Sequence, residues 1–221
     1  MKSFGHLLLA STQSTIMRHI AESFSRDGKQ VIWLLTDSTN FNMADWAPFV
    51  NEDFKIKRFV GKDSFASCLQ TSSVEHEIDV AVFCSNMNHC LSNPLADPRQ
   101  IMTSISQVLR ETMEFCRWAC RQAKYETKLR KVVLITGSCD CCVCAMLDSS
   151  TRMLLKSSSQ ELAENQVSMN AVKIPRDLLV YCAVACRSDI SDQVTGIVEF
   201  LSTSQSDYVS GNILSVASEG P

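Results

Sequence analysis

This 221-residue sequence lacks long apolar runs and blocks of basic residues, and it has no glycine in the turn that directly follows the first predicted strand. No apolar run approaches the roughly 18 residues that a membrane-spanning helix requires. The N-terminal LLLA is too short for the core of a signal peptide, and no small-residue cleavage site follows it. The net charge is -3 without a basic cluster, which argues against nucleic acid and acidic membranes as main partners. We therefore expect a cytoplasmic protein.

The features of a secreted disulfide scaffold are also lacking, although the chain has 11 cysteines. The count is odd, and the chain is neither short nor rich in loops. Several cysteines lie inside predicted helices or strands, such as Cys116 and Cys120, and Cys182 and Cys186. A buried thiol behaves as a small apolar group. We interpret most of these cysteines as reduced core or interface residues.

What the sequence contains is an alternation of apolar runs and amphipathic segments. The pattern predicts strands at 6–10, 31–35, 54–60, 78–84, 131–137, 167–174 and 212–216. It predicts helices at 15–26, 64–73, 99–124, 145–164 and 190–202. Such alternation indicates a parallel sheet with right-handed crossovers. The predicted fold is α/β, a Rossmann-like doubly wound parallel sheet of about seven strands with helices on both faces. It forms a single domain over residues 1–221.

The first β-α-β unit has the outline of a nucleotide-binding domain without its phosphate loop. In such domains glycines after the first strand let the backbone approach a pyrophosphate. Here no glycine lies between Gly5 and Gly28. Asp37, after the second strand, is a weak candidate for binding an adenosine ribose, and it could equally be a solvated turn residue. We expect no cofactor on this chain.

The C-terminal half resembles the short-chain dehydrogenases/reductases. ELAENQVSMNAV (161–172) is similar to the family's segment E-L-A, turn, R-V-N-A-V. DISDQVTGIVEFLSTSQSDYVSGNILSV (189–216) resembles the family's ending, with Tyr-Val-x-Gly before the last strand. KVVLITGS (131–138) resembles the strand that presents the catalytic serine, and IDVAVF resembles the strand before the Asn-Asn-Ala-Gly motif. The resemblance covers nearly the whole chain but lies in scaffold positions.

The family's cofactor-binding positions are altered. Its loop Thr-Gly-x-x-x-Gly-x-Gly corresponds to ASTQSTIM at residues 10–17, whose side chains would crowd a pyrophosphate. Its Asn-Asn-Ala-Gly segment corresponds to about Phe83 to Asn86. The resemblance therefore implies that the NAD-binding motif has been lost.

The catalytic positions that the resemblance implies are degenerate as well. The Tyr-x-x-x-Lys pair falls at about Cys144 and Asp148, and an aspartate reverses the charge that would stabilise a phenolate. None of the three tyrosines is followed by lysine four positions later. The catalytic asparagine falls near Leu109, and Ser138 alone matches the catalytic serine. We expect no catalytic residues.

Metal and nucleophile chemistry are weaker alternatives. CDCCVC (139–144) carries thiols that could bind zinc, copper(I) or an iron–sulfur cluster. A closed zinc site normally also needs a second pair of ligands, but no second Cys-x-x-Cys or histidine pair follows at the usual spacing. The four histidines are dispersed along the chain. His89 and Cys90 are neighbours in sequence, but this does not give them the facing geometry that a nucleophile and its base need. We expect no metal site.

Apolar residues on the third and fourth predicted helices suggest a subunit interface. In the family that this chain resembles, these two helices form a four-helix dimer interface. Phe115, Trp118, Met146 and Leu154 are the residues that we expect there. Simple core packing is the alternative for each of them.

These observations predict a catalytically inactive subunit that supports an active short-chain dehydrogenase partner in a heterodimer or heterotetramer, with NAD on the partner. The pairing is similar to that in two-subunit hydroxyacyl-CoA dehydrogenases of anaerobic toluene degradation. One alternative is a divergent NAD(P)-dependent oxidoreductase that uses Ser138 on a small alcohol, ketone or acyl-CoA. Another is a homodimeric sensor or scaffold with a ligand in the vestigial cleft.

Overall fold

The computed structural model describes residues 6–11, 15–35, 54–58, 65–75, 77–84, 98–125, 128–138, 142–175 and 188–216. The strands are β1 (His6–Ser11), β2 (Gln30–Leu35), β3 (Phe54–Arg58), β4 (Ile78–Cys84), β5 (Lys131–Ser138), β6 (Ser168–Pro175) and β7 (Ile213–Ser215). The helices are α1 (Thr15–Arg26), α2 (Phe65–Glu75), α3 (Pro98–Lys124), α4 (Cys142–Ala163) and α5 (Ser188–Leu201). A 3₁₀ turn, Ser204–Ser206, follows α5.

All seven strands form one parallel sheet in the order β3-β2-β1-β4-β5-β6-β7. Six strands have five to eight residues, and β7 adds a short edge of three. Chain order reverses between β1 and β4, as in doubly wound folds. The predicted fold class, with about seven strands, is confirmed.

Two apolar layers cover the sheet, one on each face. On one face, α1 and α5 pack against alternate residues of the strands, including Leu7, Val82 and Val133. On the other face, α2, α3 and α4 pack against the intervening residues, including Leu8, Phe83 and Leu134. Strands buried on both faces explain the continuous apolar runs in the sequence. No helix in the described ranges is long and apolar enough to cross a membrane.

The fourth helix begins earlier than the sequence pattern predicts. The pattern predicts a start near residue 145, whereas α4 begins at Cys142 and includes half of the CDCCVC segment. Neither glycine nor proline occurs from Ser138 to Ile174, and cysteine is a tolerable helix residue. The helix can therefore extend back through the cysteines that the pattern assigned to a loop.

Candidate functional site

A carboxylate flanked by two cations lies at Asp148, the position near which the resemblance leads us to expect a catalytic lysine. Asp148 lies in the second turn of α4, with its side chain 20% exposed. Its Oδ2 is 3.3 Å from Nζ of Lys173 on β6 and 3.5 Å from Nη2 of Arg152, one helical turn further on. The negative charge at this position is therefore neutralised within the chain.

The strand register places this ion pair near the carboxyl end of β5. Lys173 is paired with Thr136, and Pro175 is paired with Ser138, the last residue of β5. Ligands of open α/β sheets bind at the carboxyl ends of the strands. The Asp148–Lys173 pair thus lies close to the edge at which a cofactor-binding member of this fold has its reaction centre. The side chains of Ser138 and Cys144 lie outside the described part of the structure.

The position expected for the catalytic asparagine belongs to a small apolar cluster. Leu109 of α3 packs against Ile105 and Val108 of the same helix and against Leu147 of α4. Leu147 is only 1% exposed and immediately precedes Asp148. The α3–α4 contact beside the ion pair is therefore sealed by aliphatic side chains and carries no amide at this point.

Phe83, at the start of the segment that we expect to correspond to Asn-Asn-Ala-Gly, is a core residue. It is 1% exposed, stacks on Phe115 with ring centroids 5.0 Å apart, and contacts Phe65 at 5.6 Å. Met17 in α1 is also fully buried. Asp37, residues 12–14 and Asn86 lie outside the described residues.

The predicted interface residues divide into two pairs. Phe115 and Trp118 are 0% and 3% exposed and pack in the core between α3 and the sheet. The assignment of these two residues to a subunit interface is corrected, because a partner could not reach them. Met146 is 43% exposed and Leu154 is partly buried, so both remain accessible on α4. A partner could contact exposed residues of α4 such as these.

The thiols of Cys116 and Cys120 on α3 are buried and have raised pKa values. Burial raises the pKa of Cys116 to about 12, opposed in part by a hydrogen bond with Ser158. Burial and the neighbouring Glu161 carboxylate raise the pKa of Cys120 to about 11. Nucleophilic cysteines need a lowered pKa. Among the described residues, no group of three or more His, Cys, Asp or Glu side chains could hold a metal ion.

The C-terminal segment that carries the family resemblance has a structural role. Asn170, 1% exposed, donates through Nδ2 to the Val209 carbonyl at 2.8 Å and accepts from the Asn212 amide at 3.2 Å. Lys131 Nζ, also buried, lies 2.6 Å from Asp207 Oδ1. These bonds fasten the chain after α5 to β5 and β6 and so position β7. No local sequence pattern predicts the Lys131–Asp207 pair, because 76 residues separate its members.

No known family profile matches the sequence, and no curated protein matches it. Several solved structures, in contrast, are similar to this chain. One is a short-chain dehydrogenase from Leptospira borgpetersenii with bound NAD+, at 15% identity over 96% of this chain and 91% of that chain, with a TM-score of 0.69. ElxO with NADP bound is 15% identical, covers 96% of both chains and has a TM-score of 0.73.

A short-chain dehydrogenase/reductase family oxidoreductase from Burkholderia thailandensis is 13% identical over 97% of this chain and 92% of that chain, with a TM-score of 0.71. At such low identity the likeness concerns the fold and not the chemistry. The chain has the fold of the short-chain dehydrogenases/reductases.

Proposed function

We propose that this chain is a catalytically inactive subunit with a short-chain dehydrogenase fold, which assembles with an active relative in the cytoplasm and supports it. The observation that supports this proposal most directly is the ion-paired carboxylate of Asp148. A family member needs a free ammonium there to lower the pKa of the catalytic tyrosine. Here a carboxylate takes the position, and its ion pairs with Lys173 and Arg152 hold it in place.

Two other groups that an active family member needs have no counterpart in this chain, which also supports an inactive subunit. The apolar cluster around Leu109 replaces the polar group expected on α3. The segment 10–17 has no glycine to admit a pyrophosphate. The buried bonds of Asn170 and Lys131, in contrast, are complete. Loss of chemistry with retention of the scaffold is what an assembly role would allow.

Exposed methionines on α3 and α4 support the idea of a partner. Met102 and Met113 lie eleven residues apart on α3, and Met146 and Met153 lie seven apart on α4. Both spacings return a side chain to about the same side of a helix. The four side chains are 43–71% exposed. Flexible thioethers adapt to a partner surface, so exposed methionines on these two helices suit a protein contact.

The proposed partner is an active short-chain dehydrogenase that carries NAD and an intact Tyr-x-x-x-Lys, in a heterodimer or heterotetramer. (Hydroxyphenylmethyl)succinyl-CoA dehydrogenase of anaerobic toluene degradation provides an example of such a pairing. In this proposal the present chain belongs to an oxidoreductase complex and contributes stability and shape rather than reacting groups.

One observation favours a second candidate, a divergent NAD(P)-dependent oxidoreductase. Lys173 brings an ammonium from β6 to within 3.3 Å of Asp148, so a cation lies near the lysine position after all. The two cations and one carboxylate leave a local charge of +1. In this candidate function Lys173 replaces the missing lysine, Ser138 contacts the substrate, and the substrate is a small alcohol, ketone or acyl-CoA.

Native mass spectrometry of the protein isolated from cells that naturally make it separates the two candidates. We expect a stoichiometric complex with a second dehydrogenase-like chain, and the nucleotide and activity should belong to that chain. A homo-oligomer with one NAD(P) on each copy of this chain would overturn the proposal and favour the divergent enzyme.

A matched pair of variants tests the surface. Met113→Glu combined with Met153→Glu should release the partner, because charges would be buried at the contact. Tyr208→Glu is the control, since Tyr208 is 98% exposed and lies after α5. If the complex survives the methionine variant, α3 and α4 do not form the interface.

A further inference from the structure

A groove lies at the amino ends of the strands, opposite the carboxyl ends near which Asp148 and Lys173 lie. Its volume is about 670 Å³. Asp79, Arg130 and Ser168 lie at or just before the amino ends of β4, β5 and β6, and each lines the groove. The end of α4 and the segment after α5 form the other walls. This volume is in the range of small-molecule sites and far exceeds that of a single water.

Two buried polar atoms without partners belong to residues of this groove. In the described ranges only four buried side-chain atoms lack a hydrogen bond, and Asp79 Oδ1 and Ser168 Oγ are two of them. Ser168 is 9% exposed, and the other oxygen of Asp79 is 3.4 Å from Lys29 Nζ. An ionised carboxylate oxygen can only accept, so Oδ1 calls for a donor. Buried groups of this kind are normally satisfied.

An arginine with free donors lies beside this unfilled acceptor. The Arg130 amide donates to the Asp79 carbonyl at 2.8 Å, which places the two residues side by side on neighbouring strands. The Arg130 side chain is exposed, and within the described ranges it makes no ion pair or hydrogen bond. The other cation of the groove, Lys131, is already engaged by Asp207 and Ser206. A guanidinium is suited to bind a carboxylate through two hydrogen bonds.

We propose that this groove binds a small zwitterion of the α-amino acid class. Its carboxylate accepts from Arg130, and its ammonium pairs with the Asp79 carboxylate, whose side chain is 27% exposed, with the Ser168 hydroxyl within the same wall. The groove residues Asp79, Asp207, Arg130 and Lys131 carry two negative and two positive charges, which sum to zero. Such a balance suits a zwitterion and disfavours a polyanion such as a nucleotide.

Two further features fit this ligand. The C-terminus of α4 is at Ala163, which lines the groove. The helix dipole makes a C-terminus favourable for a cationic group such as the ligand's ammonium. Val80 and Val167 offer apolar contact for a carbon skeleton. The groove lies away from the Asp148 site, so this inference is independent of the proposed function.

Calorimetric titration of the full chain with each of the twenty protein L-amino acids tests the proposal. We expect at least one to bind with a Kd below about 1 mM. Its N-acetyl derivative lacks the ammonium and its methyl ester lacks the carboxylate, so each should bind at least about tenfold more weakly. Arg130→Gln and Asp79→Asn should weaken binding of the parent amino acid to a similar extent.

Arg117→Gln is the matched control, because Arg117 is an exposed arginine on α3 that does not line the groove. The Arg117→Gln variant should bind the amino acid with the affinity of the unaltered protein. Circular dichroism should show that this variant, Arg130→Gln and Asp79→Asn are all folded. Absence of binding by every amino acid at about 10 mM would overturn the proposal. Equal affinity of the folded Arg130→Gln variant, or of the N-acetyl derivative, would also overturn it.

Discussion

At the scale of single residues, Asp148 shows how a partly buried carboxylate is held by cations from a helix and from a strand. Its carboxylate contacts Lys173 and Arg152, and all three side chains keep some exposure to water. Pairs of this kind contribute little net stability, typically below about 1 kcal/mol. Reversing the charge has a different consequence, since it would bring three cations together.

Asp148→Lys should therefore destabilise the fold more than Asp148→Asn does, by about 1 kcal/mol or more, through repulsion from Lys173 and Arg152. The charge swap that combines Asp148→Lys with Lys173→Asp should recover most of that loss, because it restores an ion pair. Urea unfolding followed by circular dichroism measures all four proteins. Equal stability of the single Lys variant and the swap would show that the pair is not formed.

At the scale of elements, the turn that leads into β7 depends on a glycine. Gly211 has φ of +73°, and an added Cβ would lie 2.9 Å from Ser159 Oγ of α4. Its amide donates to the Met169 carbonyl at 2.7 Å, which fixes the approach to the sheet. Gly196 in α5 is exposed and has open space around it. The two glycines thus form an internal comparison.

Gly211→Ala should destabilise the protein by about 1–2 kcal/mol, because the left-handed conformation and the contact with Ser159 both disfavour a side chain. Gly196→Ala should stabilise it by about 0.5–1 kcal/mol, since alanine is the better helix former. Thermal and urea unfolding of both variants provide the measurement. A neutral Gly211→Ala would mean that the turn can adopt another conformation.

At the scale of the whole molecule, the buried thiols couple stability to pH. The pKa of Cys116 rises from its ordinary value of 9.0 to about 12 because the thiol is buried between α3 and α4. Above pH 9 the unfolded chain loses this proton while the native chain keeps it. The contribution of this thiol to the stability of the native state is therefore complete below pH 9 and is lost as pH rises from 9 toward 12.

The free energy of unfolding should accordingly fall above pH 9, by at most about 1.4 kcal/mol per pH unit for this thiol. Cys116→Ala should lower stability at pH 7 through the lost packing, yet it should show a shallower decline between pH 9 and pH 11. Urea unfolding at several pH values measures both slopes. Parallel slopes for the variant and the unaltered protein would contradict a shielded thiol.

Much of this architecture could be predicted from local patterns. The helix at Thr15–Arg26 and the strand at Ile78–Cys84 have the predicted bounds, because apolar spacing and a glycine just after a helix, here Gly28 with φ of +76°, act over short distances. The start of α4 was missed, since a cysteine-rich segment has no distinctive helix signal. Met146 and Phe115 looked equivalent in sequence, yet one is exposed and the other is fully buried.

The sequence by itself determined the α/β class, the alternation of strands and helices, and the absence of Tyr-x-x-x-Lys and of glycines in the first turn. Only the tertiary structure decided that Asp148 meets Lys173, that Phe115 and Trp118 belong to the core, and that a polar groove lies below β4, β5 and β6. The physical reason is distance along the chain. Periodicity reports which side of an element is apolar, whereas ion pairs and grooves arise where elements far apart in sequence are brought together.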